Sequence, residues 1–173
     1  GMSALSFAEK HLFGPLGIVD VAWSFDPQGV TKGGSGIFMT QRDMAKLGYL
    51  YLSQGIWDDR ELVPTRWVRA STEYATTHPW WIPYGYQWWA YAGGTYAAMG
   101  EGGQAVFVVP DINAVVVFTG GIGAPTHLWE SQSVIKNLLD AYVIPAAESN
   151  DPLPENSEGV ALLESRIKEA AAV

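Results

Sequence analysis

Helices first, strands next and a covering helix last: this order predicts an α+β protein, an antiparallel meander of three to four strands packed against helices. Three observations carry the prediction. Helical periodicity marks residues 4–13 and 40–55. Four short segments rich in aromatic and β-branched residues then follow one another between 84 and 120, separated by glycine or Asp/Asn turns. Strands and helices do not alternate, so a parallel βαβ sheet has no support.

In 5-LSFAEKHLFG-14, Leu5, Ala8, Leu12 and Phe13 share one helical face, and Gly14-Pro15 stops the helix. Residues 17–36 read as a loop, with Gly33, Gly34 and Gly36 free to take positive φ. Thr40 is a good N-cap and Asp43, three residues on, makes a capping-box variant. Met44, Leu47 and Tyr51 form the apolar stripe of that helix, and Gly55 ends it. A helix follows Pro64, which suits a first turn. Residues 74–84 read as an aromatic loop with two prolines.

The strands are YGYQWWAY, GTYAAMG, QAVFVVP and NAVVVFTG, with a hairpin turn at Asp111-Ile112-Asn113. A helix over 127–143 turns Leu128, Ile135, Leu139 and Tyr142 inward. Residues 145–159 are rich in Pro, Asn, Ser and Glu, and a last helix spans roughly 158–171. Two units follow: a main domain over 1–146, and an acidic linker with a terminal helix over 147–173.

Composition narrows the function. The 173 residues suffice for one domain with a real core. The net charge is −8, half of it in residues 145–173, and no basic cluster exists, which argues against nucleic acid as a partner. Without cysteine there is no disulfide framework and no thiol nucleophile. No run approaches the length of a transmembrane helix, so no membrane partner is expected, and no signal peptide is visible. Gly1 before Met2 reads as a residue left by tag removal.

The candidate chemistry is sparse. His11, His78 and His127 form no pair on one helical turn, so neither a metal site nor a cofactor site is predicted. Ser133-Val-Ile-Lys136 matches S-x-x-K, the spacing of a serine nucleophile and its lysine base, but both residues point away from the apolar stripe of their helix. Ser35 lies among glycines without the strand of a nucleophile elbow. The turn 120-GGIGAP-125 lacks the P-loop lysine.

Read as a strand, 85-GYQWWAY-91 sets Tyr86 and Trp88 on one face against Gln87 and Trp89. Trp81, Tyr86, Trp88 and Gln104 are candidates for a substrate wall. In 96-YAAMGEGGQAVFVVP-110 a glycine turn joins two strands around Glu101. That carboxylate has no second carboxylate nearby, but the turn can offer a backbone N–H to a developing oxyanion.

The segments 14-GPLGI-18, 36-GIFMTQRDMAKLGYLYLSQGIW-57, 61-ELVPTRWV-68, 84-YGYQWW-89 and 100-GEGGQAVFVVPDINAVVVFTG-120 occur in the order found in the serine β-lactamase-like family. Over residues 5–146 the chain resembles the C-terminal part of that family: class C β-lactamases, D-alanyl-D-alanine peptidases, related esterases and 6-aminohexanoate-dimer hydrolases. The resemblance implies part of a fold made of a sheet domain and a helical domain, with the N-terminal half absent from this stretch. It also implies acyl transfer by a serine and lysine in S-x-x-K and a tyrosine in Y-x-N, motifs that lie upstream of the matched region.

The family's third motif, Lys or His then Thr or Ser then Gly, falls on Ala98-Met99-Gly100, so its basic and hydroxyl residues are missing. The resemblance then implies that Glu101 supplies the second oxyanion-hole N–H. A chain of this kind is expected to be inactive alone, while full-length relatives hydrolyse small esters, amides or β-lactams. The other reading is a binding or assembly module that uses the aromatic groove. In either case an uncovered sheet or edge strand predicts a homo-oligomer.

Overall fold

A computed structural model describes residues 1–73, 76–77, 83–121, 128–147 and 155–171. The side chains of 76–77, 128–131 and 170–171 lie outside the described set. Helix α1 (Ala4–Ala8) is capped by the Ser3 hydroxyl, continues as a π-turn over Glu9–Phe13 and buries Phe13. Strand β1 (Ala22–Trp23), inside the stretch expected to be a loop, pairs with β2 (Ile37–Phe38) just past its end. Gly36 makes that pairing possible: its φ is +82°, and a Cβ there would lie 2.8 Å from Ser24 Oγ.

Helix α2 (Gln41–Leu52) starts at Thr40, as predicted. The Thr40 hydroxyl accepts from the Asp43 N–H and donates to its carboxylate at 2.8 Å. Lys46 pairs with the same carboxylate at 2.8 Å. Leu50 is fully buried, although the predicted stripe did not include it. Strands β3 (Ile56–Trp57) and β4 (Arg60–Glu61) form a small hairpin through Asp58 and Asp59, both at positive φ. Helix α3 (Thr65–Thr72) follows Pro64 and buries Val68 and Ser71.

The main sheet has six antiparallel strands, two more than the largest expected number. They are β5 (Thr76–Thr77), β6 (Pro83–Tyr84), β7 (Trp89–Ala90), β8 (Tyr96–Gly100), β9 (Gln104–Val109) and β10 (Ala114–Phe118). Neighbours in sequence are neighbours in space, so the sheet is a simple meander, and β10 is one edge. β5 and β6 lie in the region read as an aromatic loop. The segment read as one strand, 84–91, is instead β6, a turn and β7. Gly85 forces that break: a Cβ would sit 2.1 Å from the Ser71 carbonyl oxygen at the end of α3. Gln87 completes the turn with φ +69°.

Residues alternate cleanly along β9. Ala105, Phe107 and Val109 join Ala97, Ile135 and Leu139 in a core under α4 (Leu128–Leu138). On the other face Val108 packs with Trp88 and Tyr96. There α2 lies so close that a Cβ at Gly48 would come within 2.5 Å of Val115 and 2.8 Å of Val106. The sheet is thus sandwiched between α2 and α4.

Tyr142, expected inward, is 70% exposed. The cause is a π-turn over Leu139–Val143, continuing into α5 (Ile144–Ala146). Its wider turn moves the inward face on by one residue, so Val143 and Ile144 pack on the core instead. The last helix, α6 (Ser157–Ala171), leaves Leu162, Leu163 and Ile167 exposed. No described helix is long and apolar enough to cross a membrane.

Candidate functional site

The turn Glu101–Gly103 joins β8 to β9, with Gly100 paired to Gln104 across its base. Gly102 and Gly103 take φ of +78° and +92°, which is why two glycines are needed here. Glu101 is exposed. No backbone carbonyl among the described residues takes its N–H.

The turn is anchored from the side by Gly120, just past β10. The Gln104 side-chain amide donates to the Gly120 carbonyl. A Cβ on Gly120 would lie 2.6 Å from the Gly102 carbonyl oxygen. Close approach of two backbones therefore positions the turn.

Beside it lies a cleft of about 340 Å³, lined by Ala98, Met99, Gly100 and Gln104 together with Gly33–Gly36, Tyr84 and Gln87. The predicted third-motif register thus falls on one wall. Glu101 itself does not line the cleft, although Gly100 and Gln104 on either side of the turn do. The glycine loop with Ser35 reaches the cleft because β1 and β2 hold it: Ser24 N–H donates to Gly36 O and Trp23 Nε1 to Lys32 O. Sequence reasoning set Ser35 aside as a flexible loop residue, since 60 residues separate it from β8 and only the folded chain joins them.

Tyr84 and Gln87 were missed as cleft residues, because both belonged to a supposed continuous strand. The Tyr84 hydroxyl reaches Gln87 Oε1 at 3.4 Å, and burial raises the phenol's pKa.

Of the proposed substrate wall, Gln104 lines the cleft. Trp88 is buried in the core, 4.4 Å from Tyr51 between ring centres. Tyr86 is exposed and stacks on Trp67 at 5.3 Å. Neither is among the residues lining this cleft. Trp81 lies outside the described residues, as do His78 and His127.

Among the described residues that line the cleft there is no carboxylate, histidine or lysine, so none of them is poised to take a proton from Ser35. What its described lining offers is hydrogen bonding to a carbonyl or oxyanion from backbone amides, hydroxyls and carboxamides. The S-x-x-K pair does not supply the missing base. Lys136 binds Asp140 at 2.6 Å and lies 5.3 Å above the Tyr91 ring, while Ser133 is exposed. Burial, with Asp140 adding to it, pushes the Tyr91 phenol up to about 12, so it stays protonated and donates to Met99 Sδ. His11 is exposed and packs against Phe7. Among the described residues no three His, Asp or Glu side chains converge as metal ligands.

No family model matches the chain, and no curated protein matches it significantly. Solved structures do match. A Bacillus anthracis protein described as a 6-aminohexanoate-dimer hydrolase aligns with 86% of this chain and 40% of its own, at 19% identity and a TM-score of 0.68. A Bacteroides dorei protein described as a β-lactamase aligns over 75% and 50%, at 17% identity and 0.54. An octameric penicillin-binding protein homologue from Pyrococcus abyssi aligns over 79% and 37%, at 14% identity and 0.50. The chain has part of the fold of these proteins and spans half or less of their length.

Proposed function

We propose that this chain, with its partial β-lactamase-like fold, carries the oxyanion-stabilising wall of a serine acyl-hydrolase and does not carry the nucleophile. The observation behind this reading is the glycine turn at Glu101–Gly103, next to a cleft whose described lining residues include hydrogen-bond donors but no acid, base or lysine. An oxyanion donor lowers a barrier only when something attacks, so the isolated chain should not turn over esters, amides or β-lactams. Residues 1–146 form the hydrolase part in this reading, and 147–173 an appended acidic tail. The octameric neighbour supports self-association of this chain as well.

The test is mass spectrometry of the purified chain after incubation with nitrocefin and with p-nitrophenyl acetate. The expected result is no acyl adduct and no turnover above buffer. An adduct on Ser35 or Ser133, with turnover lost on its change to alanine, would overturn the reading. In any longer polypeptide that contains this segment and turns over such substrates, Glu101→Pro should lower kcat by about 10²–10³, because it deletes the N–H. Glu101→Gln should leave it nearly unchanged.

A further inference from the structure

At the opposite end of α2 from the cleft, a cavity of about 340 Å³ lies between the last turn of the helix and the β3–β4 hairpin. The helix lines it with Tyr49 and Ser53, and the hairpin with Ile56, Trp57, Asp58 and Asp59. Residues 49–59 are all described, so one short stretch of chain builds these walls. Tyr49 and Trp57 meet edge to face, with ring centres 5.7 Å apart and planes at 82°. Two π surfaces at nearly a right angle form a corner. A flat ring can lie on one of them only, whereas a compact tetrahedral group touches both.

The charge on these walls is all of one sign. Among the described residues neither the Asp58 nor the Asp59 carboxylate has an ion-pair or hydrogen-bond partner. Ser53 is the C-cap of α2, so the negative end of the helix dipole adds to the same field. Arg60, next in sequence, is not among the described lining residues. The field therefore favours a cation. A calcium ion is a poor fit, since it takes about six to eight oxygen ligands. Among the described residues no three acidic or histidine side chains converge.

We infer that this cavity is a binding site for a small alkylated ammonium ion. Such an ion carries its charge on a compact head with an apolar skin and needs no fixed coordination geometry. The quadrupoles of the Trp57 and Tyr49 rings attract the head, and the two carboxylates balance its charge. Ile56 meets its alkyl groups. None of this uses the Glu101 turn, so the site stands apart from the acyl-hydrolase reading.

Nuclear magnetic resonance titration of the purified chain with choline chloride tests the site, against sodium chloride at equal ionic strength. The expected result is saturable shifts at the Trp57 indole N–H and the amides of residues 49–59. Sodium chloride and dimethylbutanol, the uncharged carbon isostere of choline, should give none. Tyr49→Leu keeps apolar bulk and removes one π face, and the double variant Asp58→Asn, Asp59→Asn removes the charge. Each should weaken choline binding about three- to tenfold. Both should fold, because Tyr49 is more than half exposed and Asn, like Asp, tolerates the positive φ of this turn. No saturation with choline, or equal shifts with dimethylbutanol, overturns the site. Calcium chloride saturating the same residues at a lower concentration than choline overturns it in favour of a metal. Affinity unchanged in Tyr49→Leu overturns the ammonium class, since the carboxylates alone would attract any cation.

Discussion

Gly120 illustrates how a single residue sets the candidate site. It carries no chemistry, yet its missing side chain lets the Gly102 carbonyl approach, while its own carbonyl holds Gln104. Gly120→Ala would place a methyl 2.6 Å from a backbone oxygen, a contact that no rotamer relieves. The expected cost is about 1–3 kcal/mol in denaturant unfolding. The amide resonances of residues 101–104 should shift, while those of α3 stay put. Equal stability with unmoved turn resonances would mean that Gly120 does not position the turn. This residue was invisible in the sequence, where 120-GGIGAP-125 reads only as a turn joining a strand to a helix.

At the level of elements, legibility followed the strength of the local pattern. β8, β9 and β10 are apolar runs bounded by Gly, Pro or Asn, and lie where those runs and turns put them. The α2 start was legible because a Thr-x-x-Asp cap acts within one turn. The β6–β7 turn was not, because a contact from α3 imposes it and a non-glycine Gln87 takes the positive φ. The Ser35 side of the cleft was likewise hidden, since no local signal links a glycine loop to a strand end far along the chain.

The α2 cap also makes a pH prediction. The hydrogen bond from Lys46, then that from Thr40, holds the Asp43 carboxyl, little exposed to solvent, below its usual range. A depressed carboxyl pKa adds stability that is complete above its unfolded value, near pH 4, and is lost as pH falls through the lower folded value. Asp43→Asn should therefore cost about 1–2 kcal/mol at neutral pH. The gap between wild type and variant should narrow progressively below about pH 4 in parallel urea titrations. A gap independent of pH would show that the carboxylate charge adds nothing to the cap.

For the whole molecule, the cores divide the chain unevenly. The buried residues fall between Phe13 and Leu139, in clusters around α1, the two sheet faces and α4. α6 adds none: Val160, Leu162, Leu163 and Ile167 are each more than half exposed. Hydrophobic stabilisation scales with apolar area removed from water, so a helix that buries nothing adds little to the cooperative unit. Residues 148–173 also hold half of the −8 charge, and that repulsion would act against compact folding. Deleting them should leave the midpoint of thermal unfolding within about 2 °C of the full chain, since less than about 0.5 kcal/mol is at stake. A large drop in the midpoint would place the tail inside the folded unit and move the domain boundary past residue 146.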